Sequence, residues 1–318
     1  MSDKVTYYFI VQPGNLSFRG RFLAATLREN APAGSRIEAF VPDTDDQLDD
    51  NTLRTFAYFN VTLRRFSPRF WPRFDYPIGN KIDVARQPFA TDYAVFLDTD
   101  IVVTRPFDPA CLMQADLSAV PIMGAQVFTG WQADRFTRRA QRWLKVEEFA
   151  LSDALATARS QCPKPLGTPF PLFNSGVVAF RTGSRFAARW ARRTAQVLDA
   201  KGLPERMKRP FADQAALGLV AYEMRERFAT LDRPWNASFR SGIDDAIFWH
   251  YFRIFALFQK KNGRALLLAT HCRYTPEGLN LLGEMSEKDV AVFFDNAREF
   301  QQARARADQV VPQRSDSA

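Results

Sequence analysis

The sequence predicts an α/β domain with a mostly parallel central sheet. Three observations carry that expectation. The chain opens as strand, helix and strand, the order of a parallel α/β unit. A third, core-like strand, Tyr93 to Leu97, runs straight into Asp98-Thr99-Asp100. The 318 residues, 46% of them apolar, are ample for one large core.

Val5 to Gln12 reads as the first strand, and Pro13-Gly14 turns the chain. Phe18, Phe22, Leu23 and Leu27 fall at helical spacing, so Phe18 to Arg28 reads as a helix. Ile37 to Val41 is a second strand, and acidic Asp43 to Asp50 a solvated loop. Ile82 to Ala90 reads as a short helix before the Tyr93 strand. Trp131 to Ala150 reads as an amphipathic helix. Phe136, Ala140, Trp143 and Leu144 share its apolar face, and Arg135, Arg138, Arg139, Arg142 and Lys145 crowd the rest. Gln161 to Thr168 reads as a loop, Val177 to Phe180 as a strand and Phe186 to Leu198 as a helix. Pro210 suits a first helical position, with the helix continuing through Met224. Asp232 to Gly242 reads as irregular, Ile247 to Phe258 and Ala265 to Ala269 as late apolar segments. A break near Pro234 is one option; the other is that these segments complete the first domain's site. The expected organisation is one domain over 1–300, with a helical insertion at 131–165 and a polar tail at 301–318.

Net charge is +8, which favours anionic partners without choosing among them. Three cysteines, Cys111, Cys162 and Cys272, form no disulfide framework, as in a reducing compartment. The opening residues lack the features of a signal peptide, and no stretch reaches membrane-span length. The expected location is cytoplasmic, with peripheral membrane contact left open. RRFSPRFWPR, Arg64 to Arg73, interleaves Arg with aromatic rings. A single-strand nucleic-acid groove and a membrane patch both fit it, but the favoured reading is a folded rim with Arg stems on rings. No zinc-finger, P-loop or G-x-G-x-x-G pattern is present, so no nucleic-acid partner is expected.

Asp98 and Asp100 are the strongest site candidates. Ionised carboxylates avoid the interior unless paired or metal-bound. Alternation along a strand would point both the same way, and open α/β sheets bind ligands beyond the carboxyl ends of their strands. A divalent cation would relieve their repulsion; an acid/base pair or a solvated turn are the alternatives. His250 and His271 are the two histidines, each following an apolar run; each either faces a ligand from a strand end or is a hydrogen-bonded structural histidine. An imidazole beside two carboxylates would favour Mn2+, with Mg2+ admissible. Asn174-Ser175-Gly176 offers donors, acceptors and a close backbone approach, or is a turn before a strand. Asp213-Gln214 lies in a first helical turn, where Asp213 either serves the helix dipole or accepts sugar hydroxyls.

Taken in order, NKIDVA, VFLDTDIVV, FNSGVVAFR, FADQAALG, PWN and a late histidine resemble the nucleotide-sugar glycosyltransferases of the GT-A fold, especially family 8-like enzymes. The resemblance spans roughly Val5 to Phe252. It implies a single Rossmann-like domain and a nucleotide diphosphosugar donor, UDP-sugar foremost. It implies that Asp98 and Asp100 hold Mn2+ and the diphosphate, with His250 as the metal histidine. Asn174, Asp213 and Gln214 would address the donor sugar and reacting carbon. Lys81 would meet donor phosphate or sugar. Relatives follow the histidine with a glycine and Lys-Pro-Trp; here the text is HYFRIFALFQKK, leaving Arg253 and Lys260 as candidate phosphate cations. Retention at the anomeric carbon is implied too. The acceptor is open among glycan, protein, lipid-linked and small-molecule alcohols.

Two alternatives stand beside this. FLDTDIVV also looks like the opening of a haloacid dehalogenase-type phosphatase, with Asp98 as nucleophile, Asp100 as acid/base and Asp244-Asp245 as later carboxylates. The missing Lys-Pro-Trp also fits a nucleotide-sugar-binding protein without turnover.

Overall fold

The computed structural model describes residues 4–122, 131–162, 171–238, 244–252 and 261–282. In chain order its elements are β1 (Val5–Ile10), α1 (Asn15–Asn30), β2 (Arg36–Pro42), α2 (Asp50–Tyr58), β3 (Val61–Phe66), α3 (Phe70–Phe74), α4 (Asn80–Ala85), β4 (Tyr93–Leu97), β5 (Ile101–Val103) and β6 (Leu117–Pro121). They continue as α5 (Trp131–Leu144), α6 (Asp153–Gln161), β7 (Phe173–Arg181), α7 (Phe186–Leu198), α8 (Glu205–Lys208), α9 (Ala212–Glu223), β8 (Phe228–Thr230), β9 (Ala237–Ser238), β10 (Phe248–His250) and α10 (Lys261–Tyr274).

The main sheet has the order β3-β2-β1-β4-β7-β6-β8. Strands β3, β2, β1 and β4 are parallel, as are β6 and β8; β7 runs antiparallel between β4 and β6. A second sheet, β5-β10-β9, is small. Both faces of the main sheet are covered. On β1, Val5, Tyr7, Phe9 and Val11 join a core with Phe18, Phe22 and Leu23 of α1 and Phe56 of α2. Tyr8 points the other way, into a core with Ile82 of α4, Trp190 of α7 and Leu217 of α9. On β4, Val95 and Leu97 take the first face, Ala94 and Phe96 the second. This is period-two alternation in strands buried on both sides.

Several expectations are corrected. The acidic loop ends at Asp49, whose carboxylate accepts from Thr52 N at 2.8 Å and caps α2. RRFSPRFWPR spans the end of β3 and α3 up to its penultimate residue, Arg73. Its arginine stems do lie on rings: Arg64 over Phe40 at 4.8 Å, Arg73 over Phe74 at 4.6 Å. Helix α4 stops at Ala85. Helix α5 stops at Leu144, because Lys145 takes a left-handed φ of 57° that no helix continues. A further helix, α6, follows before β7. Pro210 lies outside α9, which begins at Ala212 after a Phe211 cap. Pro234 marks no break: the turn Arg233–Asn236 leads into β9, and Trp235 packs in the first core. Residues 301–318, 163–165 and 253–260 lie outside the described residues.

Candidate functional site

Strand order reverses beside β1. The chain winds from β1 to β2 to β3 on one side, then places β4 on the other. A crevice forms at such a switch point, beyond the carboxyl ends of the strands. A cavity of about 360 Å³ sits there. Ile10 and Gln12 line it at and beyond the end of β1, and Asp98, Thr99 and Asp100 just beyond the end of β4.

Asp98 and Asp100 share a face for a reason other than strand alternation. They flank a tight turn in which Ile101 N donates to Asp98 O at 3.1 Å. The turn sends the chain into β5, and antiparallel pairing of β5 with β10 sets His250 opposite Ile101. Tyr251 N donates to Asp100 O at 3.0 Å and locks that register. His250 Nε2 consequently lies 3.1 Å from Asp100 Oδ1 and 3.9 Å from Asp98 Oδ2. One ligand atom from each of these three residues falls within 4.8 Å of the others. Among the described residues, no other such cluster of three occurs.

The other imidazole nitrogen is committed. Asn236 Nδ2 donates to Asn174 Oδ1 at 2.9 Å, which turns Asn236 Oδ1 toward His250 Nδ1 at 3.0 Å. Nδ1 is then the donor, and a neutral ring presents the Nε2 lone pair to two carboxylates. Three acceptors facing one another need a proton or a cation between them. Two carboxylate oxygens and an imidazole nitrogen could hold a divalent metal ion, and the fixed Nδ1 is the outer-layer support such ligands carry. Burial pushes the Asp98 carboxyl up, more than Lys81 pulls it down. Burial acts on Asp100 too, but His250 and Arg19 outweigh it and hold that carboxyl below its ordinary value.

Gly176 explains the FNSG segment, which lies within β7 and is not a turn before it. A Cβ at Gly176 would lie 2.5 Å from His250 Cε1 and 2.7 Å from Nδ1. The ring's other face stacks on Phe252, centroids 3.9 Å apart. Strand β7 reaches Asp98 directly, since Asp98 N donates to Gly176 O at 2.8 Å. Asn174 Oδ1 accepts from Gly176 N as well as Asn236. Its carbonyl oxygen is therefore occupied within the protein.

Beneath the carboxylates lies a buried polar layer. Lys81 Nζ, from the first turn of α4, reaches Asp98 Oδ1 at 3.1 Å, Ser175 Oγ at 3.2 Å and Asp213 Oδ2 at 3.4 Å. Burial lowers the affinity of this ammonium for its proton, but Asp98 and Asp213 outweigh it and raise the pKa. Asp213 is 1% exposed. Its carboxylate accepts from Tyr76 Oη at 2.7 Å and from Ser175 Oγ. It does not serve the helix dipole alone.

The structure thus gathers Lys81, Asp98, Asp100, Asn174, Asp213, Gln214 and His250 around one cavity. Arg253 and Lys260 lie outside the described residues. His271 is not at a strand end: it lies in α10, where burial lowers its pKa to about 4. Tyr76, Asn236 and Arg19 were missed. PWN marked Asn236 only as part of a motif, and nothing local distinguishes Tyr76 or Arg19. Asp244, the phosphatase alternative's later carboxylate, bonds to Asn262 and does not join the cluster. A larger concavity, about 810 Å³, runs along the cationic face of α5 and shares no lining residue with the site. No helix among the described residues is long and apolar enough to cross a membrane.

No curated protein matches the chain in sequence. Among solved structures, a galactosyltransferase LgtC in complex with donor and acceptor sugar analogs superposes with a TM-score of 0.52 at 11% identity. The match covers 91% of this chain and 95% of that one. An active-site mutant of LgtC gives 0.47 at 12% identity, over 77% of this chain and 86% of that one. The bifunctional glycosyltransferase WbbM, apo, gives 0.44 at 17% identity, over 78% of this chain and 46% of that one. The first of these supports a GT-A-type fold. The family description "Rhodobacterales glycosyltransferase domain" matches residues 7–225, more than half the sequence, and the chain belongs to that family.

Proposed function

We propose that this protein is a metal-dependent glycosyltransferase, family 8-like, that moves a sugar from a nucleotide diphosphosugar to an acceptor hydroxyl. The observation that carries the reading is the convergence of Asp98, Asp100 and the oriented Nε2 of His250 at the switch point of a glycosyltransferase fold. UDP-sugar is the preferred donor, Mn2+ the preferred ion and Mg2+ the substitute. When bound, the ion would neutralise charge on the departing diphosphate. Transfer breaks the bond between the anomeric carbon and the diphosphate oxygen, which keeps the electron pair. The acceptor oxygen bonds to that carbon, with retention, and its proton passes to the departing diphosphate.

The chain's own residues divide this work. Asp98 and Asp100 hold the ion, and Asn236 and Gly176 fix the His250 ring toward it. Lys81 bridges Asp98 and Asp213 within the buried layer and offsets part of the cost of burying their charge. Gln214 and the Asn174 amide nitrogen face the sugar from the cavity wall. Asp213 braces Lys81, Ser175 and Tyr76 beneath it. Arg253 and Lys260 stand as further candidate phosphate cations. The working organisation is one domain over 1–300 that includes the helices at 131–165, then a tail. Three free thiols support a cytoplasmic location. The cationic face of α5 supports peripheral contact with an anionic membrane or with an anionic lipid-linked acceptor.

The test is calorimetric titration of UDP with Mn2+, followed by donor hydrolysis and transfer assays. Asp98→Asn and Asp100→Asn should stay folded and lose Mn2+-dependent UDP affinity by at least about tenfold, since even outer-layer partners cost that much. Unchanged affinity in both would end the metal assignment. UDP binding without hydrolysis or transfer to any acceptor class would favour a non-catalytic binding protein, which the missing Lys-Pro-Trp recommends.

A further inference from the structure

Arg19 is the cavity's other strong cation, and neither its sequence context nor the family match gives it a role. It lies in the second turn of α1, which follows β1 at the switch point. Its side chain is 20% exposed and lines the same cavity as Asp98, Asp100 and His250. Its Nη1 is 3.8 Å from Asp100 Oδ2, an ion pair too long for a hydrogen bond. The guanidinium sits 5.8 Å from the Tyr251 ring, and its Nε is buried with no hydrogen-bond partner. A guanidinium has five N–H donors, and leaving buried ones unsatisfied is costly.

Lys81 makes the contrast. Its ammonium already serves Asp98, Ser175 and Asp213. To reach a phosphate it would have to abandon buried carboxylates. Arg19 has donors to spare and opens onto the cavity. Charge points the same way. Asp98 and Asp213 are already paired with Lys81, while Asp100 is the carboxylate paired with Arg19. A divalent ion would add positive charge to the cavity and take up Asp100. An anion then becomes the partner that satisfies both the ion and the guanidinium. A planar guanidinium offers two parallel donors to phosphate oxygens.

We infer that Arg19 binds the diphosphate of the nucleotide donor, and that it pairs with Asp100 only until metal and donor arrive. The inference rests on the donor reading above and adds a residue to it. Arg19 would then stabilise the charge left on the diphosphate as the sugar departs.

The experiment compares wild type, Arg19→Gln and Arg19→Lys, each first checked by circular dichroism. Binding of UDP and of uridine is titrated at saturating Mn2+, and Mn2+ alone is titrated by electron paramagnetic resonance. Arg19→Gln should weaken UDP roughly ten- to a hundredfold, the worth of a charge-assisted hydrogen bond, and leave uridine unchanged. Arg19→Lys should fall between, keeping the charge but losing the planar fork. Mn2+ affinity without nucleotide should hold or rise in Arg19→Gln, because a cation beside the site is removed. Unchanged UDP affinity in Arg19→Gln would overturn the inference while leaving the donor reading intact. A parallel loss of Mn2+ affinity would overturn it too, by showing that Arg19 only orders Asp100. Wild type binding no nucleoside diphosphate would overturn the donor reading and this inference with it.

Discussion

His250 is gripped on three sides: Asn236 at Nδ1, the Phe252 ring on one face and the Gly176 backbone at the edge. Its Nε2 is the side turned to Asp98 and Asp100. Removing the ring and displacing it should have the same result. His250→Ala and Gly176→Ala should each lower Mn2+ affinity about ten- to a hundredfold, the second because a methyl 2.5 Å from the ring must push it aside. His271→Ala should leave Mn2+ affinity unchanged. Paramagnetic titration of the three variants checks this, and a loss confined to His271→Ala would reverse the mapping. At this scale the sequence told a good deal. It marked Gly176 as a close approach and the two carboxylates as a pair. It could not say what approaches Gly176, because His250 arrives by strand pairing and not by local spacing. Asp213 was legible as a site residue. That both its oxygens would be bonded inside the protein was not, since Tyr76 comes from a distant turn.

Helix α5 shows what an element can reveal alone. Its apolar face, with Phe136 and Ala140, packs against Ala212, Ala215 and Leu219 of α9, the helix that carries Asp213 and Gln214. Its other face carries Arg135, Arg138, Arg139 and Arg142 along a concavity that Lys145 also lines. That face is therefore one helix away from the site. Replacing Arg135, Arg138 and Arg142 with Gln should leave donor hydrolysis intact and weaken association with vesicles containing anionic lipid. The wild-type association should weaken with salt, as surface attraction does. Vesicle sedimentation at low and high salt checks it; identical binding by the triple variant would reduce the face to a solvated one. Helical periodicity made α5 and α7 readable. β5, β8 and β10, three residues each, are too short for alternation to register, and β9 has two. β8 forms on the edge of the longer β6, whereas β5, β10 and β9 pair only with one another.

Across the whole molecule, the doubly covered, largely parallel sheet was the most legible feature, because strands such as β1 and β4 are apolar on both faces. The antiparallel β7 was not, since strand direction leaves no mark on composition. Stability should carry the signature of one partly buried histidine. His271 titrates near 4 in the folded protein against an ordinary 6.5, because burial disfavours its charge. The unfolded chain therefore binds its proton first. The neutral ring is compatible with folding at pH 7, and stability is lost as pH falls from about 6.5 to about 4, by at most about 3 kcal/mol. His271→Gln should flatten that part of the curve, as denaturant titrations at pH 7 and pH 4.5 would record. An unaltered slope would exclude His271 as its source.

The pairing of β5 with β10 has one more consequence. The matched family region ends at residue 225, yet Asn236 and His250 come after it. A ribosome that has released only the first two-thirds of this chain has delivered both carboxylates and the lysine beneath them, but not the imidazole. The three-ligand cluster cannot exist until residue 250 has been made and β10 has paired with β5.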